Sequence, residues 1–327
     1  MEWEGFLEGY KRVEEFNSQR EEHWQELMKR KRELREEVQR ITPIRKAEKY
    51  EPLSVGAVDS AFGEVLGDDW GRRLYAVCVA GAAFMPKENS LKMEEKAPEF
   101  AFDECILSYE EEEDYKRVLE GLAIAKEIEK AREWFSEMDL VVIDGMAKSM
   151  VISISKGMTV KNLEKSKMGR ELKAMYRDTL QSLYDLLNSG KLIFNPKRFG
   201  EVLLADKISS LQFQNDVALL SVVLEEGEYV ALRVPPQQYH LPAEGVEDIL
   251  SKLFDLLNHL RVIYFKAPSG QVKRLETRQP SPVSAIEDFF ILEGENLLTY
   301  YADRSAKFHF TNYRDYARKI NPWRYRL

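Results

Sequence analysis

Along the first fifty residues, apolar positions at Phe6, Tyr10, Val13, Trp24, Leu27, Met28, Leu34, Val38 and Ile41 recur mostly at intervals of three and four. Glu, Arg and Lys fill the rest of each turn, so the period is helical and the apolar stripe thin. Residues 1–50 therefore read as a helical arm, one long helix or a hairpin, packed on its own domain or on a partner subunit. From residue 54 the pattern changes to strands. Residues 54–58 (SVGAV) and 73–85 are short β-type runs about a hairpin connection at 67–71. A helix opens at the capping-box spacing of Ser108 and Glu111 and runs to about Met138, burying Val118, Leu122, Ala125, Ile128, Ala131 and Phe135. After it come a strand at 140–143 (LVVI), an alternating run at 151–155 (VISIS) and a helix over 163–188 that ends at Gly190. Strands are expected at 200–204, 217–224 and 229–234, the last two as a hairpin. A helix at 245–259 and a second hairpin, 261–266 with 272–277, complete the pattern. No repeat and no Pro- or Gly-rich linker divides the chain. The organisation predicted is an N-terminal arm at 1–50 and one elaborated α/β domain at 51–327, a mixed sheet flanked by helices.

Composition narrows this picture. The chain has 327 residues, 44% hydrophobic and 32% charged, with a formal net charge of −8. That balance argues against a protein that coats nucleic acid over its whole surface and leaves room for a local basic groove. Cys78 and Cys105 are the two cysteines and show no metal-ligand spacing, so neither a disulfide framework nor a zinc site is expected. The charged N-terminus has no apolar signal core, and the longest apolar run, 74–85, is too short to span a bilayer, so a cytoplasmic protein without a membrane segment is expected.

Candidate chemistry centres on two aspartates. Asp59 and Asp144 each end a short apolar strand, and each is followed by small residues, Ser60 and Ala61 or Gly145. Open α/β sheets place ligands at such strand ends. A single Asp there is commonly a turn former, but two in one sheet make a candidate site for Mg²⁺ or Mn²⁺, which take hard oxygen ligands together with water and phosphate. Two-ion phosphodiester hydrolysis needs further acids. The helix before Asp144 offers Glu120, Glu127, Glu129, Glu133 and Glu137, of which Glu127 borders the packed face. Lys156 follows the run at 151–155, where it could hold a phosphate. Lys156, Lys161, Lys165, Lys167, Arg170 and Lys173 stand against two acids between 156 and 173 and form a basic patch. A second one, Arg318, Lys319, Arg324 and Arg326 interleaved with Trp323 and Tyr325, has the cation and ring composition that suits single-stranded DNA.

The order of these segments resembles the NurA nuclease family: a helical arm, AVDS at 57–60, a Glu-bearing helix, VVIDG at 141–145 and ISISKG at 152–157. The resemblance spans about residues 1–290 and implies a ribonuclease H-like core, opening with strand, hairpin and strand. It further implies a manganese-dependent nuclease acting on DNA ends, with 5′–3′ exonuclease and single-strand endonuclease activity, a homodimer, and a HerA-type hexameric ATPase as partner. Asp59 and Asp144 match the family's metal-binding aspartates, Glu127 best matches its helix glutamate, and Lys156 matches its lysine. The family's C-terminal histidine has no counterpart among His23, His240, His259 and His309. Glu287 stands near that place and could replace it as an oxygen ligand, or the site is incomplete. A nuclease-fold adaptor without activity, binding DNA or a translocase, is the alternative. An actin- or hexokinase-like nucleotide-binding protein is disfavoured because no Gly-rich phosphate loop is present.

Overall fold

A computed structural model of the chain describes residues 2–48, 53–67, 73–87, 90–104, 112–160, 163, 167–196, 202–208, 215–233, 245–278, 287–288 and 297–320. The arm is two helices, α1 (Glu2–Lys29) and α2 (Lys31–Ile41), broken at Arg30. Leu27, Leu34 and Val38 of the expected stripe are buried, whereas Tyr10, Val13, Trp24, Met28 and Ile41 are exposed. The arm ends in a two-residue strand, β1 (Arg45–Lys46), that joins the sheet.

Three long strands follow, β2 (Val55–Gly67), β3 (Arg73–Lys87) and β4 (Ser90–Glu104). Then come α3 (Glu112–Trp134), β5 (Leu140–Asp144), α4 (Ala147–Met158), α5 (Lys167–Ser189) and β6 (Leu192–Asn195). The chain continues through α6 (Asp216–Val223), β7 (Glu228–Arg233), α7 (Glu247–Asn258), β8 (Arg261–Lys266), β9 (Val272–Thr277) and α8 (Leu297–Ile320). The nine strands described form one mixed sheet in the order β1-β7-β8-β9-β6-β5-β2-β3-β4. Its β4-β3-β2 meander runs antiparallel, and β5 and β6 then add in parallel. The mixed α/β sheet flanked by helices expected from the pattern is present, with the strand order of a ribonuclease H-like core. No helix among the described residues is long and apolar enough to cross a membrane.

Side chains alternate along each strand, so the sheet has two apolar faces. Val58, Val141, Ile143 and Phe194 pack under α3, α4, α5 and α7, around a buried Tyr176 whose hydroxyl donates to the Val118 carbonyl at 2.7 Å. On the same side of the sheet, α2 and α6 cover Val230, Val262 and Tyr264. The opposite face carries Val55, Ala57, Leu140, Val142, Ile193 and Ile263, and α8 lies along β2 and β3 there.

Several local expectations are corrected. The run at 217–224 forms helix α6, because the Asn215 side chain accepts from the Ala218 amide at 2.9 Å and caps it. The Asp216 carboxylate also gathers the amides of Leu203, Leu204 and Ala205 at 2.8–2.9 Å. A short apolar run without periodicity fits either structure, and here the cap decides. The alternating run at 151–155 lies within helix α4, where Met150, Val151, Ile154 and Met158 keep helical spacing on the buried side. Of the strand expected at 200–204, residues 200 and 201 lie outside the described residues and 202–204 are not a strand; β6 begins at Leu192, shortly after Gly190. Strand β4 and helix α8 were not expected. β4 is a charged edge strand with Pro98 beside a register shift, features that suit a sheet edge and hide its pattern.

Candidate active site

Asp59 does not end its strand, contrary to the sequence reading. β2 continues to Gly67, but its parallel pairing to β5 stops at Val58 opposite Ile143. A register clamp sets where this happens. The Asp139 carboxylate accepts from the Ser54 amide at 2.8 Å and the Ser54 hydroxyl at 2.7 Å, and the Asp139 amide donates to the Ser54 carbonyl at 3.0 Å. Each chain then runs five residues to its aspartate, so Asp59 and Asp144 reach neighbouring positions at the point where the two strands part. Alternation puts both on the face shared by Ala57 and Val142, the α8 side. Asp59 is buried and Asp144 half-buried. The Asp59 carboxylate accepts from the Ser60 amide at 2.7 Å.

Glu127 approaches from the other face. Ser60 points to the α3 side, and its hydroxyl donates to the Glu127 carboxylate. One close fit explains why Glu127 meets Ser60. Phe135 of the α3 end lies so close over Gly56 that a Cβ there would sit 2.3 Å from the ring. From Phe135 back to Glu127 the helix rises about 12 Å, and from Gly56 to Ser60 the strand rises about 13 Å. The bare glycine thus seats the helix, and the matched rises bring Glu127, which is 6% exposed, onto Ser60.

The turn after Asp144 is fixed as firmly. Gly145 has φ +107, which favours glycine. The next helix begins where the Ala147 amide donates to the buried Glu276 at 3.0 Å, and Glu276 in turn accepts from Arg274 at 2.6 Å. A carboxylate at the start of α4 satisfies an end amide and opposes the positive end of the helix dipole. Lys148 in that first turn has the opposite sign of charge, four residues on from Asp144. The sequence carried no signal for it, because α4 shows in the pattern only as an alternating run that begins at Val151.

The remaining predicted residues lie elsewhere. Lys156 occupies the exposed last turn of α4 rather than a strand end, about 13 Å of helix rise from Ala147. Lys161 and Lys165 fall outside the described residues. Lys167 opens α5, and Arg170 is exposed in its first turn. Glu287 is fully buried at the other end of the sheet order, between the guanidinium groups of Arg45 on β1 at 3.8 Å and Arg261 on β8 at 3.7 Å. Strands β9 and β6 stand between β8 and β5. The structure therefore does not bring Glu287 to Asp59 and Asp144. Burial pushes its carboxyl above the usual range, against the pull of Tyr229, Arg261 and Arg45. Burial likewise lifts the nearby Tyr229 hydroxyl to about 12. Cys78 is equally remote from chemistry: a free thiol buried under α8, raised by burial to about 11.

One acid on the aspartates' side of the sheet was not anticipated. The side-chain amide of Asn195, a residue in register with Asp144, donates to the Thr299 hydroxyl of α8 at 3.0 Å. Asp303, one turn further along α8, has its side chain 14% exposed and pairs with Lys307 at 2.6 Å. Among the described residues, no three His, Cys, Asp or Glu side chains are grouped as a metal shell.

No protein-family profile matches the sequence, and a search of characterised proteins finds no match. Solved structures do match. The crystal structure of the NurA nuclease from Sulfolobus solfataricus is 12% identical with a TM-score of 0.61, covering 96% of this chain and 98% of that one. A crystal structure of NurA is 12% identical with a TM-score of 0.52, over 91% and 94% of the two chains. One of NurA with manganese is 11% identical at 0.50, over 90% and 92%. Likeness of this extent across nearly the whole of both chains gives the molecule a NurA-like fold.

Proposed function

We propose that the chain is a metal-dependent deoxyribonuclease whose centre is the carboxylate pair Asp59 and Asp144. The observation that carries this reading is their adjacency, on one face, where β2 and β5 part. The fit to a divalent cation is chemical. Mg²⁺ or Mn²⁺ is commonly held by one or two carboxylates, with water and substrate phosphate completing the shell. Two side-by-side aspartates supply that donor set without a third protein ligand. The solved NurA structure that contains manganese supports the choice of metal. When bound, the ion would offset charge on the phosphodiester and make a bound water a stronger nucleophile.

The chain's own residues divide the remaining work. Asp59 and Asp144 would hold the cation. Ser60 holds Glu127 on the opposite face of β2, where it can accept a proton or bind a second ion through water. Lys148, at the start of α4, adds positive charge for the phosphate, in preference to Lys156 at its far end. Asp303 on α8 is a further carboxylate for the same face. A role in DNA-end processing, with 5′–3′ exonuclease and single-strand endonuclease activity, a homodimer and a HerA-type ATPase partner, rests on the sequence resemblance and on the likeness to NurA nuclease structures.

The test is cleavage of end-labelled single- and double-stranded DNA by the purified chain with Mn²⁺, with Mg²⁺, and with chelator. Metal-dependent cleavage lost in Asp59→Asn and in Asp144→Asn is the expected result. Undiminished cleavage by either variant would remove the proposed centre. Metal binding by calorimetry without any cleavage would instead favour the inactive adaptor.

A further inference from the structure

The outer face of α8 has no part in the fold or in the site just described. The helix satisfies its packing with Thr299, Ala302, Ala306, Phe310 and Ala317, all buried against the sheet. Its outward side nevertheless presents large rings: Tyr300 is 51% exposed, Tyr301 39% and Phe308 62%. With Arg304 they fall within about 100° of the helix circumference. The Arg304 side chain donates to the Tyr300 hydroxyl at 3.1 Å, and its guanidinium lies 5.2 Å from the centre of the Tyr300 ring. Ring and guanidinium form a flat, exposed surface with a positive charge on it.

We propose that this face, Tyr300, Tyr301, Arg304 and Phe308, is a stacking platform for single-stranded DNA on the outer side of the helix that packs on the carboxylate pair's face of the sheet. Three observations favour that occupant. Residues 297–320 carry five cations against two acids, in a chain whose net charge is −8. Exposed rings interleaved with cations are the composition that binds single strands, because bases stack on rings while cations meet phosphates. Placement is the third: the platform begins one residue after Thr299, which Asn195 ties to the level of Asp144. Tyr300 to Phe308 spans about 12 Å, room for about three stacked nucleotides at roughly 3.4 Å each. A different exposed apolar set, on α1, lacks this character. Tyr10, Val13, Phe16 and Trp24 stand there among eight acids and four cations, a charge that repels a polyanion.

This inference deepens the nuclease reading and rests on it for the direction in which the strand is led. The experiment measures the anisotropy of a fluorescein-labelled twelve-residue oligodeoxythymidylate with the full chain in EDTA, so that nothing is cut. An abasic strand of equal length reports charge alone. Tyr300→Ala and Phe308→Ala should each weaken oligodeoxythymidylate about tenfold, and their combination about a hundredfold. Tyr300→Trp with Phe308→Trp should retain wild-type affinity, which excludes misfolding as the cause. The abasic strand should bind more weakly and ignore the ring substitutions. Arg304→Gln should lower the salt dependence for both strands by about one unit of slope. Equal affinity of the wild type and the double alanine variant for oligodeoxythymidylate overturns the platform. So does a wild type that binds no strand. An unchanged affinity with loss of self-association in sedimentation also overturns it, and identifies the face as a contact between copies of the chain. A wild type that stacks the strand but never cuts with metal sinks the nuclease reading and leaves the platform standing.

Discussion

The two halves of the sheet both bury carboxylates, and they treat them in opposite ways. In the β1–β7–β8 half, Glu287 lies between Arg45 and Arg261, and Arg35 of α2 grips Glu228 at 2.6 Å while also donating to the Val223 carbonyl at 3.0 Å. Each acid there lies beside a guanidinium from another element, within hydrogen-bond distance for Glu228 and beyond it for Glu287. In the β2–β5 half, the Ser54–Asp139 clamp sets two aspartates side by side at a place where the strands diverge. Two like charges at adjacent positions repel and favour any arrangement that adds a cation. Depth of burial alone therefore does not single out a candidate ligand: Glu287 is the more deeply buried acid. What separates the two halves is the company each carboxylate keeps.

The largest effect that could break this contrast is on cleavage. Asp59→Asn and Asp144→Asn should each lower metal-dependent DNA cleavage by about a hundredfold, the upper end of what losing even a group behind a metal ligand costs. Thermal midpoints should hold or rise, since each change removes one of two neighbouring negative charges. Glu287→Gln should leave cleavage within about twofold. If Glu287→Gln abolishes cleavage while Asp144→Asn does not, the functional half of the sheet has been misidentified.

Next in size is the seating of α3. Gly56→Ala drives a methyl group into the Phe135 ring, and overpacking of this kind costs about 1–3 kcal/mol. Urea unfolding should report that loss. Cleavage should fall with it even well below the transition, because the helix that carries Glu127 must lift from β2. Gly270→Ala is the control: it keeps a strained positive φ at +80 but meets nothing within 4 Å, so it should cost stability without touching cleavage. Equal effects on cleavage would mean that α3 does not position the site.

How much of this was legible beforehand follows from physical range. The β8–β9 hairpin, α5 with its Gly190 stop and α7 were visible because their signals are local: a turn, a cap, an amphipathic period. Asp59 and Asp144 could be picked out as strand residues, yet their adjacency depends on a register clamp between Ser54 and Asp139, 85 positions apart. The aromatic and basic tail was noticed, but helix α8 was missed, since its buried stripe of Ala302, Ala306 and Ala317 carries little hydropathy. Lys156 was expected at a strand end because of a five-residue alternation, which lies within α4. Glu287 was chosen by its place in the sequence, whereas its environment is set by Arg45, more than two hundred residues earlier.

A smaller effect tests the link between the faces of β2. Ser60→Ala removes the hydroxyl that holds Glu127. Leaving a buried carboxylate short of one partner should cost about 1–3 kcal/mol in urea unfolding. Cleavage should drop severalfold, less than for either aspartate, and Ser60→Thr should restore most of it. A Ser60→Ala chain with full activity would show that Glu127 acts, if at all, without this tether.

The smallest effect concerns charge in the other half, where the sign separates two acids. Burial raises the Glu287 carboxyl above its ordinary value, against Tyr229, Arg261 and Arg45, with Asp288 adding to the rise. Asp288 is raised as well, by burial and the nearby Glu48 charge, against the Glu48 amide and Arg45. A raised acid binds its proton more tightly folded than unfolded, so its stabilisation is complete below the usual carboxylate range and fades as pH rises through the folded value. Glu228 runs the other way. Burial alone would raise it, but hydrogen bonds from Arg35 and the Glu225 amide outweigh that and hold it low. Its contribution is present above the usual range and is lost as pH falls through the folded value. Unfolding midpoints across pH should therefore show Glu287→Gln at least as stable as wild type near neutrality, the two converging toward pH 4. Glu228→Gln should be weaker than wild type near neutrality and converge with it in acid. Were Glu287→Gln the less stable chain near neutrality, the two arginines would outweigh burial, and Glu287 would be an ion-paired anion like Glu228.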